Sequence, residues 1–264
     1  MTIVKDGLTI TSLEDWLDRA GPKSPGHWKD GRSAKETARA WLGTRAPSLP
    51  QEVEALLAGS PHFGQPLKWE AEPEAKLRFD TFAGEPRNSD LLVAASDAHG
   101  DYIIAVEAKA DEPFGETVGV ARSNARKRLA ENSRSNGLTR ITQLESALLR
   151  PVQHGEPAND DLRYQLLTAT AGALAEAERR GVNRAVLLIH EFVTDETADD
   201  KHAANSLDLD RFVRRLSGKA ELSVSSGQLL GPFAPPGMPL FRGTIQLFIG
   251  KAVRHIRAPK PPIQ

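Results

Sequence analysis

Hydrophobic and polar positions along the chain change period several times, and each change predicts an element. Residues 12 to 58 read as helical: Ser12-Leu-Glu-Asp offers an N-cap, a Gly/Pro-rich link follows at 21–26, and Ser33-Ala-Lys-Glu36 matches a capping box ahead of Thr37–Leu42. Pro47 and Pro50 open a further short helix over Gln51–Ala58, and Gly59–Pro66 is a loop by composition. Alternation over Lys76–Phe82 predicts a half-exposed strand. Two apolar runs, Asp90–Ser96 and Tyr102–Lys109, flank the turn-like Asp97–Asp101 and predict an antiparallel hairpin.

A loop at Ala110–Gly115, helices near 117–133 and 138–149, and a polar connection at Pro151–Asp161 come next. The stripe Leu166, Ala169, Ala173 and Leu174 predicts a helix over Leu162–Arg179 that stops at Gly181. Ala185–Ile189, inside the strand Arg184–Phe192, is an uninterrupted apolar run of the kind covered on both faces. A helix near Asp208–Ser217, a strand at Thr244–Ile249 and a frayed tail at 259–264 complete the chain. Strands packed under helices in this order mean α/β, with a mixed central sheet flanked by helices. The expected layout is a helical extension over 1–65 and one α/β domain over 66–258, without internal repeats.

The hairpin carries charge only at the end away from its turn. If it pivots on Ala98-His99, Asp90 lies opposite Glu107, and cross-strand neighbours sit roughly 5 Å apart at Cβ, close enough for two carboxylates to share a divalent cation. Side chains alternate along a strand, so Glu107 and Lys109 leave it on one face. Glu-x-Lys alone recurs by chance, and Glu74-Ala75-Lys76, in the Pro-broken acidic run after Glu70, reads as such a match. The plainer alternative makes Glu107 and Lys109 a modest surface ion pair.

Asp90 followed by Glu107-Ala108-Lys109 on adjoining strands resembles the metal-binding hairpin of the PD-(D/E)XK nuclease superfamily. Ser89 stands where the namesake proline often does, and the resemblance spans roughly residues 66 to 195; Trp28–Trp41 is similar to the opening of some uncharacterised bacterial members. It implies a restriction-endonuclease-like core and a hydrolase of nucleic-acid phosphodiesters. It further implies Asp90 and Glu107 as metal ligands with the Ala108 carbonyl, Lys109 as a catalytic group, and a polar helix residue facing the site, here Gln165. A further acid usually precedes the hairpin; the candidates are Glu36, Glu54, Glu70 and Glu72, with Glu70 first because Trp69 can anchor it. The alternative within the resemblance is an inactive nucleic-acid-binding or protein-interaction module.

Composition narrows the chemistry. With no cysteine among 264 residues, disulfides, thiolate zinc sites and cysteine nucleophiles are excluded. Oxygen ligands then favour Mg²⁺ or Mn²⁺. No apolar run approaches the roughly 20 residues of a membrane span and no signal-peptide pattern opens the chain, so a cytoplasmic protein without a membrane partner is expected. A net charge of −1 gives no global pull toward nucleic acid. Local runs differ. Arg122, Arg126, Lys127, Arg128, Arg134 and Arg140 face only Glu131 in sequence, and Arg242, Lys251, Arg254, Arg257 and Lys260 form a second basic stretch. The first run is the expected contact to phosphates, DNA above all, with a solvated helix face as the plainer alternative. His190-Glu191 at a strand end, and Asp111, Glu112 and Glu116 after the hairpin, read chiefly as packing and loop residues. Glycine-rich nucleotide loops, nucleophile elbows and His-Glu-x-x-His are absent.

Overall fold

A computed structural model describes residues 1–152, 158–242 and 244–256; the expected tail at 259–264 and part of the 151–161 connection lie outside them. The described elements are β1 (Thr2–Lys5), β2 (Leu8–Thr9), α1 (Leu13–Ala20), α2 (Ser33–Leu42), α3 (Gln51–Ala58), β3 (Lys68–Leu77), β4 (Arg87–Asp97) and β5 (Gly100–Lys109). They continue with α4 (Val118–Glu131), α5 (Gly137–Leu148), α6 (Tyr164–Arg180), β6 (Arg184–Thr194), α7 (Asp199–Ser217), β7 (Leu229–Phe233) and β8 (Gln246–Ile256). All eight strands join one sheet in the order β2-β1-β3-β4-β5-β6-β8-β7. β3, β4 and β5 are antiparallel in succession, whereas β5, β6 and β8 run parallel through helical crossovers. The fold is α/β with a mixed sheet between two helical layers, as the sequence pattern predicts.

Local chemistry explains most boundaries. Ser12 caps α1 with a full capping box, its hydroxyl accepting from the Asp15 N–H while Asp15 accepts from the Ser12 N–H. The box expected at Ser33–Glu36 does not form. Ser33 is already helical, its hydroxyl donates to Glu112, and the Glu36 carboxylate instead accepts from Gly31 N–H at 2.8 Å. The first strand also differs from expectation: it is Lys68–Leu77, with Trp69, Ala71, Pro73, Ala75 and Leu77 buried in alternation. Pro73 is tolerated because β1 pairs β3 only at Glu70 and Ala71, leaving the outer edge beyond them free.

The sheet divides the core in two. Ile3, Trp16, Trp41 and Trp69 pack with Val93, Ile104 and Val106 under α1, α2 and α3. Leu77, Leu92, Ile103 and Leu187 pack with α4, α5, α6 and α7 above. The segment expected as a helical extension thus also supplies β1 and β2, and its helices cover a whole face of the sheet. No helix among the described residues is long and apolar enough to cross a membrane.

Candidate functional site

β4 and β5 pair from Asp97↔Gly100 to Leu91↔Val106, pivoting on Ala98 and His99, and then part company. Beyond that point β4 keeps β3 as its partner while β5 keeps β6, through Lys109↔Glu191. Continuing the register by one residue sets Asp90 opposite Glu107. At the split β4 no longer pairs with Ala108, and its N–H donates to Asp90 Oδ2 at 2.7 Å. Ser89 sits fully inside the split. Its hydroxyl lies 3.1 Å from both the Leu91 and Val106 carbonyls and ties the two strands together.

Glu107 and Lys109 share the face under α6, buried to 1% and 4% exposure. Lys109 Nζ donates to Glu107 Oε1 at 2.9 Å and to Gln165 Oε1 at 3.3 Å, and it lies 5.2 Å from the Phe114 ring. The Gln165 amide nitrogen also donates to Glu107 Oε1, and Arg87 Nη2 donates to Glu107 Oε2. Asp90, Glu107, Lys109 and Gln165 therefore meet, with Arg87 as a fifth member that sequence reading missed.

Burial would raise the Glu107 carboxyl, yet Lys109 and then Arg87 hold it below the ordinary value. Asp90 lacks such help. Burial first, and the Glu107 charge second, push its carboxyl up to about 7, against the pull of Lys109 and the Ala108 N–H. Lys109 is depressed by its burial but raised more by Glu107 and Asp90, so it stays an ammonium.

Glu70, the first choice for a further acid, is not there. It is exposed and opposite Ala94, four residues along β4 from Asp90, or roughly 13 Å at the rise of a strand. Trp69 is anchored as expected under the N-terminal helices, which leaves Glu70 on the same sheet face as Asp90 but too far along the strand to reach it. Glu72 pairs with Lys5, Glu36 is buried on α2 with Arg39, and Glu54 is exposed on α3. The acid that does approach is Glu74. The β3–β4 register places it opposite Asp90, between Pro73↔Leu91 and Ala75↔Ser89. Its φ of 49° lies in the left-handed region, unusual for a glutamate. Burial raises its carboxyl and the Glu107 charge adds to this, against Asn88 and Lys5. The signal was the second Glu-x-Lys, Glu74-Ala75-Lys76, set aside because of Pro73.

Among the described residues no three His, Asp or Glu side chains are grouped to hold a metal ion. Asp90 and Glu107 supply two hard carboxylates, one of them with its proton affinity raised by burial and by the charge of the other. That donor set fits Mg²⁺ or Mn²⁺, which are usually held by one or two carboxylates together with water and phosphate oxygens.

The basic residues divide. Arg126, Lys127, Arg128 and Arg134 are exposed on and after α4 and form no ion pair among the described residues. Arg122 is half-buried against Glu145 and Asp160, and Arg140 against Asp80, so both are structural in this arrangement. The second basic stretch is not one patch: Lys251 pairs with Glu191 and Arg254 with Glu52, whereas Arg242 is exposed near Glu178. Arg257 and Lys260 lie outside the described residues. His190 is fully buried, bonded to Glu52 through Nε2 and to Trp41 through Nδ1, with burial lowering its proton affinity. Glu191 faces His202. Asp111 pairs with Arg32 and Lys201, Glu112 takes Ser33, and Glu116 takes Asn124, all outside the acid cluster.

A family model described as a domain of unknown function, DUF6946, matches residues 9–247, a span that takes in α1 to α7 and β3 to β7 but not β1 or most of β8. No curated protein and no solved structure matches the chain.

Proposed function

The chain belongs to the DUF6946 family, a domain of unknown function, and from its site we propose a Mg²⁺-dependent phosphodiesterase acting on nucleic acid, with DNA as the expected substrate. The observation that carries this reading is the meeting of Asp90, Glu107, Lys109 and Gln165 where β4 and β5 part. The succession β3-β4-β5-α6-β6, three antiparallel strands and a crossover to a parallel fourth, supports it as the order of a restriction-endonuclease-like core.

Asp90 and Glu107 would hold the ion, with the Ala108 carbonyl as a further oxygen. When bound, the ion supplies a bound water of lowered pKa and polarises the phosphate. The protein does the rest. Lys109, kept charged and aimed by Glu107 and Gln165, orients the attacking water or offsets charge building on the phosphate. Gln165 fixes both neighbours at once, because its amide offers an acceptor to Lys109 and a donor to Glu107.

A second reading rests on a specific observation: Arg87, Lys109 and Gln165 already fill both oxygens of Glu107. Such a closed network suits an inactive nuclease-fold module for binding nucleic acid or protein. Lys109→Ala decides between them. It removes no metal ligand, so Mg²⁺ affinity measured by calorimetry is expected to persist, while DNA cleavage falls by on the order of 10² or more. Glu107→Ala is expected to lose both. Wild-type protein that binds Mg²⁺ but cuts neither DNA nor RNA selects the inactive module, and protein that binds no divalent ion ends the hydrolytic reading.

A further inference from the structure

Beside the acids the surface opens into a cleft of about 140 Å³ between the 78–86 segment, α5 and the start of α6. One water occupies about 30 Å³, so the space suits a tetrahedral anion. Its walls include Arg78, Arg87, Arg140, Tyr164 and Thr168, with Asp80 and Glu85 as the acids. Asp80 is neutralised by Arg140, through Nε at 2.6 Å and Nη2 at 3.3 Å, and Glu85 is exposed at the rim. Arg78 is spread over the Phe82 and Gly84 carbonyls, which stiffens the wall without adding negative charge.

Two donors on residues that line this cleft have no acceptor among the described residues. Arg87 Nε is buried without a hydrogen-bond partner although Nη2 of the same guanidinium sits on Glu107. The Tyr164 hydroxyl forms no hydrogen bond among the described residues, and burial keeps it a phenol. Buried N–H groups rarely stay unpaired, and a guanidinium with an unpartnered Nε and a phenol lining one cleft match the oxygens of a phosphate. Arg128, close enough to influence Tyr164, carries positive charge from the cleft toward the exposed face of α4.

We propose that this cleft is a phosphate-binding subsite in which Arg87 turns between Glu107 and a phosphate oxygen and Tyr164 donates a second bond. The occupant is a phosphodiester of a nucleic-acid strand that continues over Asp90 and Glu107; this identification rests on the hydrolytic reading. Arg87 leaving Glu107 for the phosphate would free a carboxylate oxygen as the strand arrives.

The test is calorimetric titration, without metal, of wild type, Tyr164→Phe and Arg87→Lys, with inorganic phosphate and separately with a short oligodeoxynucleotide. Thermal melts establish that each variant is folded. Both ligands are expected to bind wild type, the oligonucleotide more tightly. Loss of the hydroxyl in Tyr164→Phe should weaken each by about threefold or more, and loss of the guanidinium fork in Arg87→Lys by about tenfold. Unchanged affinities in both folded variants, or no response of wild type to phosphate, overturn the subsite. Equal affinity for the two ligands overturns the strand as occupant. DNA cleavage assayed with Mg²⁺ keeps the two readings apart: cleavage with titrations indifferent to Tyr164 sinks the subsite alone, whereas Tyr164-dependent binding without cleavage sinks hydrolysis and, with it, the strand assignment.

Discussion

Asp90 has a carboxyl pushed up to about 7 by burial and Glu107, against about 3.9 for an exposed aspartate. Between those values the folded protein holds a proton that the unfolded chain has released. Stability from this group is therefore present below about pH 4 and lost as pH rises through about 7. Asp90→Asn keeps an acceptor for the Ala108 N–H and cannot ionise, so it is expected to melt above wild type at pH 8, with the gap closing toward pH 4. Mg²⁺ competes for the same carboxylate, and its affinity should rise from pH 6 to pH 8 in wild type only. Both effects are read by thermal melts and calorimetry across pH. At this scale the sequence exposed Asp90, Glu107, Lys109 and Gln165 because their types and spacing carry a pattern. Arg87 carries none, being an ordinary arginine at a strand start, and Glu74 carries only a Glu-x-Lys match whose strand register Pro73 disguises.

Among the elements, α6 depends on Gly172 to lie close to the sheet. A Cβ there would stand 3.1 Å from the Leu77 Cβ and 3.7 Å from the Arg87 Cδ. Gly172→Leu is expected to cost about 1–3 kcal/mol in denaturant unfolding by overpacking. It should also disturb Arg87 enough to lower any cleavage measured alongside. Full stability and activity in this variant would show that α6 can lift without consequence. The helices with strong apolar stripes and the buried runs of β4, β5 and β6 were legible because periodicity reports burial directly. The start of β3 was displaced by eight residues in the sequence reading because a proline and three acids outweigh the inward positions Trp69, Ala71, Ala75 and Leu77. β7 went unread, since Leu229–Phe233 is short and contains Gly231-Pro232.

For the whole molecule, near-neutral net charge hides an uneven surface. Arg126, Lys127, Arg128 and Arg134 stand free in solvent, whereas most other arginines that the sequence offered as contacts are tied to acids from distant segments. Pairings of that kind are set by tertiary folding and leave no trace in local charge runs. Charge reversal at Arg126 and Arg128 should reduce the slope of log K against log salt for DNA binding by about one per lost phosphate contact. A slope that does not move returns α4 to the role of a solvated helix. The N-terminal layer was likewise only half legible. Its helices announced themselves, but β1 is a four-residue strand whose partner lies more than sixty positions away.

The turn of the acid hairpin is closed from afar. Asp97 Oδ1 receives Arg184 Nη2 at 2.8 Å, the same guanidinium reaches the Gly100 carbonyl, and it lies over the rings of both Phe63 and Tyr102. Asp97 and Arg184 are 87 positions apart, and Gln165 follows Glu107 by 58. On the ribosome the carboxylates thus emerge long before either the clamp on their turn or the amide that aims them. The chemistry of this chain is assembled only after the segments that follow the hairpin have been made.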